Sequence, residues 1–163
     1  MDAKQRNRNI FAILVAILLC FVVGWSTYKQ IQEHYNQDDP MLYELYETIS
    51  PLFNQDNYYT GELSVLNNRN ILKEIKLYKG DKSYTINKQN IHLCLKDENG
   101  KYYDKNMLVY VTLHELAHVI CDEIGHTDKF HNIFEELLIK ATEQKIYDPN
   151  IPIIHDYCQY NDD

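Results

Sequence analysis

The chain of 163 residues is long enough for one modest hydrophobic core behind an apolar N-terminus, and too short for a second independent domain. With 45% hydrophobic and 12% aromatic residues but only 5 Gly and 4 Pro, its composition is that of a folded protein. A formal net charge of −8, with no Lys/Arg-rich run after residue 8, repels phosphate backbones, so no nucleic-acid partner is expected.

Residues 1–9 form a basic flank carrying Lys4, Arg6 and Arg8. The run from Ile10 to Trp25 has no charge, and Ser26, Thr27 and Tyr28 extend it to the length of a bilayer-spanning helix. Trp25 and Tyr28 sit at the far end, where interfacial aromatics belong. A cleaved signal peptide is the rival, with Val22 and Gly24 before a cut. The apolar run is longer than a usual signal core, so residues 10–28 are read as an uncleaved transmembrane anchor. The positive flank predicts a cytosolic N-terminus, which puts the following domain across the membrane. Residues 29–39 are polar and read as a stalk.

Residues 40–163 are expected to form one domain. Asp39-Pro40 is a helix start, with Asp as N-cap and Pro in the first turn. Met41, Leu42, Leu45, Tyr46, Ile49, Leu52 and Phe53 follow at helical spacing, and Pro51 predicts an end or bend. Residues 54–70 read as loop. Ile71–Tyr78 reads as a strand, with Ser83–Asn87 pairing back on it across a Gly80-Asp81 turn. Ile91, Leu93 and Leu95 alternate with His92, Cys94 and Lys96 in a third strand, whose edge is expected to be free for backbone pairing. Asp104 is the predicted N-cap of a long helix over 105–123, with Leu108, Val109, Leu113, Leu116 and Ile120 as its apolar stripe and Gly125 as its breaker. A last helix starts after Thr127, buries Phe130, Phe134, Leu137, Leu138 and Ala141, and ends by Asp148-Pro149; the tail reads as loop. Cys94, Cys121 and Cys158 are an odd set with wide spacing and read as reduced, buried small hydrophobes. Together with the lack of an Asn-x-Ser/Thr sequon they lean toward a reducing face, in tension with the predicted topology.

Residues 114–118 read HELAH. Side chains four apart share a helix face, so His114 and His118 can bind one Zn2+. Glu115, about 100° around the helix axis, lies beside the metal and can act as general base on a zinc-activated water. By chance this pattern arises in about one or two of every hundred chains of such composition, and a chance match need not lie on an amphipathic helix. A catalytic zinc needs a third ligand. His126, eight residues past His118 and just after Gly125, is the first candidate; His131, Glu135 and Glu136 remain alternatives. His34, His92 and His155 read as solvated or supporting residues.

The segments IHLCL (91–95), Asn106, YVTLHELAHV (110–119) and GHTDKFHNIFEELL (125–138) resemble the WLM and SprT-like group of small HExxH zinc peptidases. The likeness covers about the last 75 residues, and DYC at 156–158 resembles a short Tyr-Cys element of related domains from large DNA viruses. The resemblance implies a zincin-like α+β fold: a helix, a small mostly antiparallel sheet, the HExxH helix and a C-terminal helix. It also implies a three-histidine site completed by His126, hydrolysis of a protein or peptide substrate, and a viral or host internal membrane as location. Residue 131 is His where that group carries an aromatic, which keeps His131 open as a ligand. Tyr157 or another tyrosine is a candidate oxyanion donor. The alternative function is a catalytically inactive zinc-binding membrane protein with a structural or assembly role.

Overall fold

The computed structural model describes residues 3–54, 57–68 and 70–158, with side chains from Asn9 onward. The basic side chains of Lys4, Arg6 and Arg8, and residues 159–163 of the tail, lie outside the described residues. The chain divides into two units, residues 1–36 and 37–163.

The first unit is one helix, α1 (Ala3–Gln37). Its stretch Asn9–Gln37 is long and apolar enough to cross a membrane, and none of its apolar window is buried within the protein. At 35 residues α1 is about 50 Å long, well beyond the roughly 30 Å of a hydrocarbon core. The expected stalk is therefore the polar continuation of the same helix. Gln30, Gln32 and Glu33 are good helix formers, and no Gly or Pro falls between Trp25 and Pro40 to stop it.

The second unit is α+β. Asp39 caps α2 (Pro40–Ile49), its carboxylate accepting from the Met41 amide at 3.0 Å and from the Tyr102 hydroxyl at 3.0 Å. Leu42, Leu45 and Ile49 form the buried face. Pro51 ends α2, as expected, and a 3-10 turn (Ser50–Phe53) carries Leu52 and Phe53 into the core. The expected loop over 54–70 holds a second 3-10 segment (Gly61–Asn67) that buries Leu63 and Leu66. Its ends are joined by the Asn67 side chain, which accepts from the Tyr59 amide at 2.9 Å and donates to the Tyr59 carbonyl at 2.8 Å.

The strand expected over 71–78 is instead a short helix, α3 (Asn70–Glu74), followed by β1 (Lys76–Lys79). The remaining strands are β2 (Tyr84–Ile86) and β3 (Asn90–Leu93). Their order is β1-β3-β2, with β1 parallel and β2 antiparallel to β3, so the sheet is mixed rather than mostly antiparallel. Ile91 and Leu93 are fully buried, whereas Tyr84 and Ile86 of β2 are exposed. The strand with the most apolar face takes the centre, and β2 is left at an edge. This corrects the expected free edge of Ile91–Leu95, because β3 has neighbours on both sides. Asn87 and Lys88, at φ 53° and 55°, form the tight β2–β3 turn.

Asp104 caps α4 (Lys105–Ile120), accepting from the Asn106 amide at 2.8 Å. This helix is the centre of the unit. Its ten buried residues include the whole expected stripe and also Met107, Val111, Thr112 and Ala117, so it is covered on nearly every side by α2, the sheet and α5. It ends three residues before expected, and Gly125 lies in the following loop at φ +87°. Thr127 caps α5 (Asp128–Glu143), which buries Phe130, Ile133, Phe134, Leu137 and Ala141. Beyond α5, Asp148 exchanges two hydrogen bonds with the Asn106 side chain, at 3.0 and 2.8 Å.

The tail is fastened rather than free. Cys94 and Cys158 form a disulfide, Cα atoms 6.2 Å apart, which corrects the expectation that both are reduced. Cys121 stays free and buried. The Tyr157 hydroxyl donates to the Cys94 carbonyl and lies 3.0 Å from Ser83 Oγ, and its ring packs 4.8 Å from that of Tyr103. Tyr157 thus serves as a clasp between the tail and Cys94. The bond joins residues 64 apart, a loop whose closure stabilises by about 4 kcal/mol through the unfolded chain. Cys158→Ser, or reductant on the natural chain, is expected to lower urea stability by about that amount, read from tyrosine near-UV circular dichroism. An unchanged midpoint in reductant would show that the tail contributes nothing to the fold.

Candidate metal centre and cleft

His114 and His118 lie one turn apart on the one strip of α4 that the core leaves open, and both are half-buried. His126 is exposed and reaches them from the loop of residues 121–127. Its Nε2 lies 3.1 Å from Nε2 of His114 and 3.2 Å from Nε2 of His118. One imidazole nitrogen carries either a proton or a lone pair, so it cannot complete hydrogen bonds of both senses to two partners at once. Nitrogens that share a tetrahedral ion at 2.0–2.1 Å sit about 3.3 Å apart. The three histidines could therefore bind a metal ion, and they are the metal-capable cluster among the described residues. His131, although its ring centre is 6.2 Å from that of His126, is exposed and outside the cluster; exposed Glu135 and half-buried Glu136 are outside it too.

The rings rest on Phe130, which is fully buried. Its centroid lies 4.2 Å from His118 in a stacked arrangement, 4.8 Å from His126 and 4.9 Å from His114. One aromatic floor thus restricts all three imidazoles. The loop is braced by Lys129, whose ammonium meets Asp122 at 2.9 Å and Glu62 at 3.2 Å. Gly125 supplies the left-handed turn that brings His126 back over α4.

Glu115 points off this strip and is 4% exposed. Burial raises its pKa, and a 2.8 Å hydrogen bond from Thr85 Oγ1 to Oε2 partly offsets the rise. Lys88 donates to the His118 carbonyl at 3.3 Å and to the Cys121 carbonyl, capping the C-terminal end of α4 and fastening the β2–β3 turn to it. Together β2, its turn, α4 and residues 123–126 enclose an open cleft of about 520 Å3. Thr85, Lys88 and Phe130 were not legible as parts of this site. Phe130 reads simply as core, while Thr85 and Lys88 reach Glu115 and His118 only because β2 is the strand laid against α4.

Burial, then the neighbouring histidines, lowers the His114 pKa to about 4 from an ordinary 6.5; burial, then His126 and Lys88, also lowers that of His118. Both rings are neutral near pH 7 with lone pairs to offer. A histidine whose folded pKa is depressed costs no stability above 6.5. As pH falls from there toward 4, the unfolded chain takes up the proton first and stability is lost. In chelator, urea midpoints are expected to fall between pH 6.5 and about 4, with a shallower fall in His114→Asn. Equal slopes for the two proteins would show that His114 is not held neutral by the fold.

The chain is similar to several viral proteins. Uncharacterized protein 136R of Invertebrate iridescent virus 6 is 56% identical over 103 residues, which cover 61% of this chain and 58% of that protein. Uncharacterized protein 042R of Invertebrate iridescent virus 3 is 44% identical over 121 residues, covering 72% and 76%. Uncharacterized protein R325 of Acanthamoeba polyphaga mimivirus is 38% identical over 101 residues, covering 58% and 50%. The chain thus spans 58% and 50% of the lengths of 136R and R325. No protein-family model and no solved structure matches it. With 44% identity extending over three quarters of 042R, the chain belongs to the family of that iridescent-virus protein.

Proposed function

We propose that this protein is a zinc metallopeptidase of the zincin-like, WLM and SprT-like kind, anchored to a viral or host membrane by α1. The observation that carries the reading is the convergence of three imidazole nitrogens beside a buried carboxylate on the floor of an open cleft. His114, His118 and His126 are the residues that would hold the metal, and their donor set suits zinc. Bound zinc supplies Lewis acidity, acidifying a water and polarising a carbonyl.

The chain's own residues supply the rest. Glu115 takes the proton of the attacking water and returns it to the departing amine. The raised proton affinity that burial gives Glu115 suits a group that must both accept and donate near neutral pH. The edge of β2, unpaired among the described residues, borders the same cleft and offers backbone donors and acceptors to an extended protein or peptide substrate. A purely structural zinc site, the alternative role, has no use for a carboxylate in this position. Nucleic acid is not the expected partner, given the acidic balance.

The Cys94–Cys158 disulfide supports placing the domain on an oxidising face, across the membrane from the basic N-terminus. It removes the tension that reduced cysteines would create.

The purified full chain is expected to carry one zinc per molecule by elemental analysis. His126→Ala loses it, His131→Ala keeps it, and Glu115→Gln keeps it while cleavage of fluorescein-labelled casein falls by at least about 100-fold. Zinc retained in His126→Ala together with its loss in His131→Ala would overturn the ligand assignment. Activity surviving in Glu115→Gln would overturn the mechanism. In sealed membranes, the domain is expected to resist added protease and to migrate as the disulfide form after alkylation without reductant; digestion of the domain would reverse the topology.

A further inference from the structure

Thr85 is the middle residue of β2, the edge strand of the sheet. Its neighbours Tyr84 and Ile86 are 44% and 42% exposed, and the alternation of a strand turns Thr85 the other way, onto α4. There its Oγ1 lies 2.8 Å from Oε2 of Glu115 and 3.1 Å from the Glu115 main-chain oxygen. The hydroxyl has one proton for these two acceptors, and given along the shorter contact to Oε2 it holds the carboxylate on the β2 side. Among the described residues, Thr85 is the hydrogen-bond donor that reaches this buried carboxylate. A β-branched side chain in a strand has little freedom about χ1, which makes it a stiff strut.

The strand that carries the strut is itself registered on α4. Three residues on, Lys88 holds the carbonyls of His118 and Cys121. On its other side β2 is paired with β3, where Thr85 stands opposite the fully buried Ile91. The hairpin is thus tied to the helix at the levels of residues 115, 118 and 121, so it can neither slide along the helix nor swing away without breaking several bonds. The placement of Glu115 relative to His114 and His118 is set partly by α4 and partly by a residue 30 positions earlier in the chain.

We propose that Thr85 is a positioning residue, fixing the Glu115 carboxylate in the cleft and coupling it to the edge strand along which substrate would lie. The inference rests on the hydrolytic reading above and adds to it a residue outside the HELAH motif. Thr85→Val keeps the shape and removes the donor; Thr85→Ser keeps the donor.

The test uses the detergent-solubilised full chain loaded with cobalt(II), with acetohydroxamate as the probe. This small ligand binds such a metal while giving a hydrogen bond to a carboxylate placed as general base, so its affinity reads the position of Glu115 without a known substrate. Thr85→Val is expected to bind cobalt normally and acetohydroxamate about tenfold more weakly, the scale of one hydrogen bond to a charged group, with Thr85→Ser close to the natural chain. With labelled casein, kcat per bound cobalt falls in Thr85→Val while KM holds; a merely structural threonine changes the folded fraction and moves neither probe affinity nor kcat per bound cobalt. If Thr85→Val does not fold, Thr85→Cys, of similar size but a weak donor, is expected to show the same direction. Equal affinity in the natural chain and Thr85→Val, or equal losses in Thr85→Val and Thr85→Ser, overturns the role of Thr85 and leaves the hydrolytic reading standing. No cobalt bound, or no loss of affinity in Glu115→Gln, overturns the hydrolytic reading and this inference with it.

Discussion

The near-complete burial of α4 is the constraint from which the rest of the second unit follows. A helix with ten buried residues out of sixteen can leave only a narrow strip open, and the polar residues it carries must be on that strip or be paired. His114 and His118 take the strip, Thr112 satisfies its hydroxyl on the Leu108 carbonyl at 2.7 Å, and Glu115 is paired with Thr85. α2, the sheet and α5 cover the other sides, so the cleft lies where the cover stops, between β2 and the loop leading into α5. Moving any covering element would expose apolar area on α4 at about 25 cal/mol per Å2, which makes the open strip a fixed feature and not a passing one.

What could be read from the sequence was local. Asp39, Asp104 and Thr127 each announce a helix start, and each caps one. The four-residue spacing of His114 and His118 sets a shared face wherever the helix packs. His126 stood first among several candidates for its place just past Gly125 and for the resemblance, with His131, Glu135 and Glu136 left open by the sequence. The rest depended on distant partners. The segment over 71–78 has β-branched and alternating residues, yet its first half forms α3, because Ile71 and Leu72 pack on the core from one helical turn. Strand order was hidden because β1, β2 and β3 each look like hairpin candidates, and only the burial of Ile91 and Leu93 against α4 decides which takes the centre. The disulfide was hidden because Cys94 and Cys158 are 64 residues apart and fall in no recognisable framework.

The tail and the cleft turn out to be one mechanical system. Ser83 accepts from the Cys94 amide at 3.0 Å and contacts the Tyr157 hydroxyl, and it immediately precedes β2. The disulfide therefore holds the tail at the point where β2 begins, while Lys88 holds the point where β2 ends. A three-residue strand with one pairing neighbour is weak by itself. Fixed at both ends it becomes a dependable wall for the cleft, and Thr85 at its middle inherits that rigidity.

The three histidines are unequal in a way that bears on how the site would fill. Two sit on a helix whose position the core dictates, over an aromatic floor, and burial keeps them neutral. Their geometry is preset and costs little to use. The third stands exposed on a loop whose brace to Lys129 is a solvent-screened surface ion pair, a weak fastening. The order of the site thus runs from rigid to yielding, from α4 outward. An ion entering from solvent would meet the exposed His126 side first and end against His114 and His118, so the loop is where binding free energy would be converted into local order. That the loop holds His126 within 3.2 Å of both partners in advance means little reordering remains, and the buried Phe130 beneath all three rings is the reason it can.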